Sequence, residues 1–316
     1  MKNLKGTLIL LLTAMIWGIA FVAQDAAAGN IGSFTFNGTR AVLAAVFLLV
    51  VIVVKDGSKK RKIIPEKTEA KKILKAGIIC GVFLSIAVNL QQLGIEAYPD
   101  GVAVSGRSGF LTATYVVMVA VVSLFFGKKL NVSLVVAVVG CMAGMYLLCL
   151  SGGLSGIYTG DILIFCCAIA FTCHILAADR FSALDTVKVS FIQFVVVSVL
   201  SFIPAIIFEK IEWQTLVSAW LPIVYAGVCS SGIGYTLQMI GQKYTEPAVA
   251  SIVTSFESVF AALAGWVILG QSLSGKELLG CSLVFAAIIA AQIPDLIKEV
   301  KKRKSVDVNK EPRFPN

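Results

Sequence analysis

Residues 81–110 read GVFLSIAVNLQQLGIEAYPDGVAVSGRSGF, and residues 227–256 read GVCSSGIGYTLQMIGQKYTEPAVASIVTSF. A shift of 146 residues lays the first stretch on the second. Gly81, Ser85, Gln92, Tyr98, Ser105 and Phe110 then fall on Gly227, Ser231, Gln238, Tyr244, Ser251 and Phe256, and Asp100 meets Glu246. Nearer the N-terminus a shift of 154 places Gly6, Ala14, Ala23 and Asp25 on Gly160, Ala168, Ala177 and Asp179, with Trp17 on Phe171. Scattered apolar coincidences would not recur at nearly one offset, so the chain reads as a duplication.

Each half carries five apolar stretches of membrane-crossing length, about 20 residues apiece. We place them at 5–27, 32–54, 73–94, 101–126 and 131–150, then at 158–178, 186–208, 215–239, 246–269 and 276–297. An odd number of crossings makes the second copy enter the membrane the opposite way from the first. The expected fold is therefore an all-α membrane protein of ten transmembrane helices in two inverted five-helix repeats. The first repeat covers residues 1–152, the second 153–298, and a basic tail 299–316. Inverted repeats commonly enclose a substrate site near the midplane, where the halves meet.

The composition agrees, with 58% hydrophobic and 14% charged residues among 316. That is too little charge for an ordinary soluble domain. Lys2 and Lys5 precede the first span as they would a secretory leader, but the apolar run is too long and no small-residue cleavage pattern closes it. The net charge of +9 reads as a topology signal. All Lys and Arg except Arg40, Arg107, Lys210 and Lys276 lie at the N-terminus, in even-numbered connections or in the tail. The positive-inside rule then puts both termini in the cytoplasm, with the basic runs against anionic lipid head groups and no nucleic acid required. The eight cysteines all fall in spans, with no paired CxxC and only the lone His174, so neither a metal nor a cofactor is expected.

Gly140 and Gly144 in span five, and Gly280, Ala287 and Ala291 in span ten, are small residues at helix-contact spacing. They suit an outer scaffold or a homodimer face. Pro204 and Pro222 fall inside spans seven and eight and should kink them.

Polar residues inside the spans point to function. Arg40, Arg107, Glu257 and His174 are ionisable groups set well into apolar stretches, where a charge is tolerated only facing protein or water. The arginines either hold a substrate carboxylate or phosphate by forked hydrogen bonds, or snorkel to Asp25, Glu96 or Asp100 at the mouth. Glu257, the carboxylate nearest the midplane, is a candidate proton-coupling site or a structural acid bonded to a neighbour. His174 is a second proton-relay candidate or a satisfied structural residue. Trp17, Asn37, Asn89, Gln92, Tyr115, Tyr235, Gln238 and Ser255 complete the substrate-binding candidates, a mixture suited to a small amphipathic metabolite.

These features resemble the drug/metabolite transporter superfamily, in its EamA-type ten-helix branch, over residues 5–295. The resemblance rests on the duplicated ten-span pattern, Trp17-Gly18-Ile19-Ala20-Phe21, Arg40, the turns at Tyr98 and Tyr244, and the segments 125–130 and 268–273. The last two are similar to the family's Gly-Glu-x-Leu-like segment. They depart from it in having Lys128 or Lys129, and Gln271, where a glutamate is usual. The resemblance implies a metabolite permease, often an exporter of amino acids or related compounds, in a bacterial inner membrane.

No Gly-rich phosphate loop ending in Gly-Lys-Ser/Thr is present, so the expected mechanism is secondary transport. The alternatives are an intramembrane enzyme or a non-transporting sensor or scaffold. Asp100-Gly101 followed by Arg107 lacks the further aspartates that metal-dependent head-group chemistry requires, and Glu257 has no paired carboxylate for hydrolysis.

Overall fold

The computed structural model describes residues 2–58, 66–125, 132–147, 157–181, 183–242, 244, 253–287 and 289–290. Among them there is no strand. The helices are α1 (Lys2–Ala27), α2 (Ser33–Ser58), α3 (Lys67–Glu96), α4 (Val104–Ala113), α5 (Tyr115–Phe125), α6 (Val132–Met145), α7 (Thr159–Arg180) and α8 (Thr186–Phe208). They continue as α9 (Trp213–Ser218), α10 (Trp220–Val224), a π-helical stretch (Tyr225–Gly234), α11 (Tyr235–Gln242), α12 (Glu257–Leu269) and α13 (275–287).

Among the described residues six helices are long and apolar enough to cross a membrane: α1, α2, α3, α7, α8 and the continuous run Trp220–Gly241. The outward faces of α2 and α8 carry exposed Val50, Val54, Ile203 and Ile206, which suit contact with lipid. Lys59, Lys60, Arg61 and Lys62, the turn at Pro247 and the basic tail lie outside the described residues.

The antiparallel pair α2–α8 is tied at both ends. At one end the Glu209 carboxylate accepts from the Phe34 and Thr35 backbone N–H groups (2.9 and 2.8 Å) and from the Thr35 hydroxyl (2.7 Å), satisfying donors that open α2. At the other end Asp185 caps α8 through Val187 N and pairs with Lys55 at 3.2 Å, while Lys188 pairs with Asp56 at 2.7 Å.

Glycines set the closest approaches elsewhere. A Cβ on Gly81 would stand 2.6 Å from Val196 Cβ, and one on Gly160 would stand 2.6 Å from Gly94 O, so bulk there would force α3 away from α8 and α7. The small residues of span five meet span ten of the same chain. A Cβ on Gly144 would lie 2.7 Å from Gly280 O, and one on Gly140 would lie 3.2 Å from Ala287 Cβ.

Three expected spans differ from plain helices. Span four is interrupted at Thr114, whose hydroxyl donates to Leu111 O (2.6 Å) and offers the backbone an alternative to the helical ladder. Span nine breaks at Phe256, between a helical turn at 253–255 and α12, and its residues 246–252 lie outside the described residues. Span eight is divided into α9, α10, the π-helical stretch and α11. Pro222 sits in the first turn of α10, where a missing N–H is harmless, just after the break at Ala219. The last turn of α8 runs through Pro204 without interruption.

Candidate functional site

The two breaks face each other. Tyr115 opens α5 and Glu257 opens α12, and the Tyr115 hydroxyl donates to Glu257 Oε1 at 3.0 Å. Discontinuous helices that meet in this way are a recurrent means of presenting polar groups inside a membrane bundle. Both residues border a cavity with about 740 Å³ of empty space, mouth included. Its walls come from α1 (Trp17, Ala20, Phe21, Gln24), α2 (Arg40, Ala41), α3 (Val88, Gln91), α4 and α5 (Thr112, Tyr115) and α7 (Phe171, His174, Ile175). α8 (Phe194, Val197), the π-helical stretch (Ser230, Ser231), α11 (Tyr235, Gln238) and α12 (Glu257) complete it.

A directional chain of hydrogen bonds runs along one wall. Arg40 Nη1 donates to Gln24 Oε1 (2.8 Å), Gln24 Nε2 to Gln91 Oε1 (3.1 Å), and Gln91 Nε2 to Thr112 Oγ1 (3.3 Å). The Arg40 guanidinium also lies 5.6 Å from the Phe36 ring centroid. Arg40 has no ion-pair partner among the described residues, although it is 5% exposed. Glu257 has none either, and it too is buried. The cavity lining is also aromatic. Tyr235 stands 5.0 Å from Trp17, 5.5 Å from Phe194 and 6.0 Å from His174, centroid to centroid. His174 Nε2 hydrogen-bonds Gln193 Oε1 at 2.9 Å.

The structure thus brings Trp17, Arg40, Tyr115, His174, Tyr235, Gln238 and Glu257 to one cavity. It places five other candidates elsewhere. Asn37 and Asn89 tie helices together: Asn37 Nδ2 donates to Val88 O and Asn89 Oδ1, and Asn89 Nδ2 donates to Ser85 and Ser201. Gln92 donates to Gln24 O behind the wall. Ser255 is buried just before the Phe256 break, where its carbonyl accepts from Ser258.

Arg107 is forked onto Asp161, Nε to Oδ1 at 2.6 Å and Nη2 to Oδ2 at 2.7 Å, with Nη1 reaching Glu277 at 3.3 Å. The fork thus goes to Asp161, and not to Asp25, Glu96 or Asp100. Asp25 accepts from Ser105 and Gln271, and Glu96 accepts from Ser33. Asp161 is an acid at the start of α7, and nothing in local spacing announces its pairing with a residue 54 positions earlier.

Ser230 and Ser231 are cavity residues that were not singled out as substrate ligands. In the π-helical stretch the Ser230 carbonyl accepts from Trp17 Nε1 at 3.2 Å, a bond a regular helix would not readily offer. The small-residue run Gly227–Gly234 is the only local signal of that irregularity. Among the described residues no group of His, Cys, Asp and Glu is placed to hold a metal ion.

A model of the EamA-like transporter family matches residues 4–150 and again residues 158–291. The chain belongs to that family. Among similar proteins, an uncharacterized transporter of Archaeoglobus fulgidus is 26% identical over 297 residues, covering 92% of this chain and 87% of its own. The uncharacterized transporter YoaV of Bacillus subtilis is 22% identical over 293 residues, covering 90% and 95%. A solved crystal structure aligns with a TM-score of 0.63 at 18% identity over 92% of this chain and 96% of that one, a likeness of fold. This EamA-like chain is thus a multi-pass membrane transporter by family, with its cavity at the centre of the helices the family model covers.

Proposed function

We propose that the protein is a secondary transporter of a small carboxylate-bearing metabolite such as an amino acid. In this reading it alternates access to the central cavity and acts as an exporter in a bacterial inner membrane, with both termini in the cytoplasm. One observation carries the proposal. Among the described residues the cavity contains a guanidinium with no acid beside it and a carboxylate with no cation beside it, within mainly apolar and aromatic walls. Burying an unpaired charge is costly, so a ligand that brings the missing partner gains that energy back on binding. A carboxylate on Arg40 would meet a planar fork with donors still unused beyond the bond to Gln24. An ammonium or a proton would satisfy Glu257.

The pairing of helices supports two inverted halves. The packing of α3 against α7 is mirrored by that of Trp220–Gln242 against α1, and α3 against α8 by the same segment against α2. The glycine contacts repeat too. Gly94 approaches Gly160 and Ile164, while Gly241 approaches Gly6 and Leu10.

Uptake and counterflow of labelled amino acids and related carboxylates into proteoliposomes, with and without an imposed pH gradient, tests the reading. We expect saturable flux that responds to the gradient and loses that response in Glu257→Gln. Flux equally responsive in Glu257→Gln would remove the coupling role. No flux of any carboxylate by folded protein would remove the substrate class.

A further inference from the structure

A second cleft lies behind the cavity wall, between α5, α6 and α7. Its lining includes Met118 of α5, Val138 and Met142 of α6, and Phe165, Ile169 and Leu176 of α7. We propose that this cleft seats the acyl chain of a membrane phospholipid.

The chemistry of the walls selects the occupant. Among the described residues none presents a polar atom to the cleft's interior. Its two hydroxyls are turned back on their own helices, Thr114 Oγ1 donating to Leu111 O at 2.6 Å and Thr172 Oγ1 to Ala168 O at 2.9 Å. Water needs polar partners to stay in such a space, and here it finds none. An empty cleft would forfeit the dispersion contacts of every wall residue.

The rim settles where the occupant comes from. Met142 is 67% exposed, Ile169 48% and Phe165 37%, so the cleft is continuous with the apolar surface that a membrane-spanning bundle turns to lipid. Hydrocarbon enters sideways from the bilayer without crossing a polar barrier. The seat also backs directly onto the transport cavity. Thr114 and Thr172 face the cleft, while Tyr115, Phe171 and His174 on the same two helices face the cavity. A chain lodged there lies one layer of side chains from the Tyr115–Glu257 contact and against the break at Thr114.

The decisive experiment is crystallisation of the full chain from lipid whose phospholipid carries bromine along the acyl chain, with bromine located by anomalous scattering. We expect an anomalous peak inside the cleft. A cleft free of bromine, while peaks appear elsewhere along the belt, overturns the proposal, as does occupancy by side chains of a second copy. Ile169→Trp, which fills the cleft with an indole, supplies an independent readout by native mass spectrometry after delipidation. Lipid retained per chain should fall from one to none. If that variant fails to fold, Val138→Phe serves the same purpose, and the bromine result on the unaltered chain stands regardless. Lipid occupancy is read without flux, so failure of the transport reading and failure of this one are separable.

Discussion

Replacing Arg107 by methionine separates a clamp from a substrate ligand. The side chain is 4% exposed and makes the fork to Asp161 at 2.6 and 2.7 Å plus a longer contact to Glu277. It is stacked near Tyr158 (4.8 Å) and Tyr98 (5.9 Å). Without the guanidinium, Asp161 keeps the Tyr98 hydroxyl (2.8 Å) and the Tyr158 N–H (3.0 Å), which leave its charge buried and unpaired. Breaking a buried pair from one side costs about 3–5 kcal/mol, so Arg107→Met should lose that much stability. Arg107→Lys keeps the charge without the fork and should lose about 1.5–3 kcal/mol. Adding Asp161→Asn to Arg107→Met removes the stranded charge and should restore about 0.5–3 kcal/mol as a coupling energy. The assay is reversible unfolding in detergent mixtures titrated with SDS, followed by helical circular dichroism, together with ligand affinity per folded molecule. Stability within about 1 kcal/mol of the parent, with affinity abolished, would refute the clamp and return Arg107 to the substrate site.

Two further outcomes follow from the packing. Gly160→Ala puts a methyl 2.6 Å from Gly94 O and 2.7 Å from the Tyr98 ring, so thermal unfolding should show a loss of about 1–3 kcal/mol, whereas Gly275→Ala, with nothing within 4 Å, should be neutral or mildly stabilising. Glu209→Ala strips the carboxylate that satisfies the start of α2 and should cost about 0.5–2 kcal/mol, with hydrogen exchange rising first at Phe34 and Thr35.

Much of the bundle was legible because a bilayer makes length and apolarity decisive. The stretches 5–27, 32–54, 73–94, 158–178 and 186–208 correspond to α1, α2, α3, α7 and α8. The breaks at Thr114 and Phe256 were not legible, because neither residue is a proline or a glycine. At Thr114 the break goes with the hydroxyl's bond to Leu111 O, which a threonine in a span does not by itself announce. Inside the spans, an ionisable side chain showed that something must meet it, but not what. Arg40 and Arg107 lie at similar depths in their own spans, yet one faces a cavity and the other faces Asp161. Three-dimensional packing decided which arginine meets a cavity and which meets an acid, and single-helix spacing carries no record of that choice.

The choice of Gln92 over Gln91 has a more specific cause. A shift of 146 residues joins Gly81 to Gly227, and carried on rigidly it joins Gln92 to Gln238. The contacts tell of a different register beyond that point. Gly94 meets Gly160 and Ile164 as Gly241 meets Gly6 and Leu10, which is a shift of 147. The contacts at Gly241 therefore run one residue ahead of the 146 register, which the sequence resumes at Tyr98 and Tyr244. The π-helical stretch Tyr225–Gly234 is where a helix can hold such an extra residue, because its wider turn absorbs a residue without breaking the rod. With the extra residue counted, Gln238 matches Gln91, and both line the cavity, whereas Gln92 turns away to Gln24 O. The same widened stretch gives the second half the Ser230 carbonyl that receives Trp17. The two halves are thus unequal at the place where the cavity needs them to differ, with a regular helix at Gln91 and a widened one at Ser230. A perfectly repeated bundle would present the same groups from both halves, and this one presents a guanidinium relay from Arg40 to Thr112 and an aromatic cluster around Tyr235.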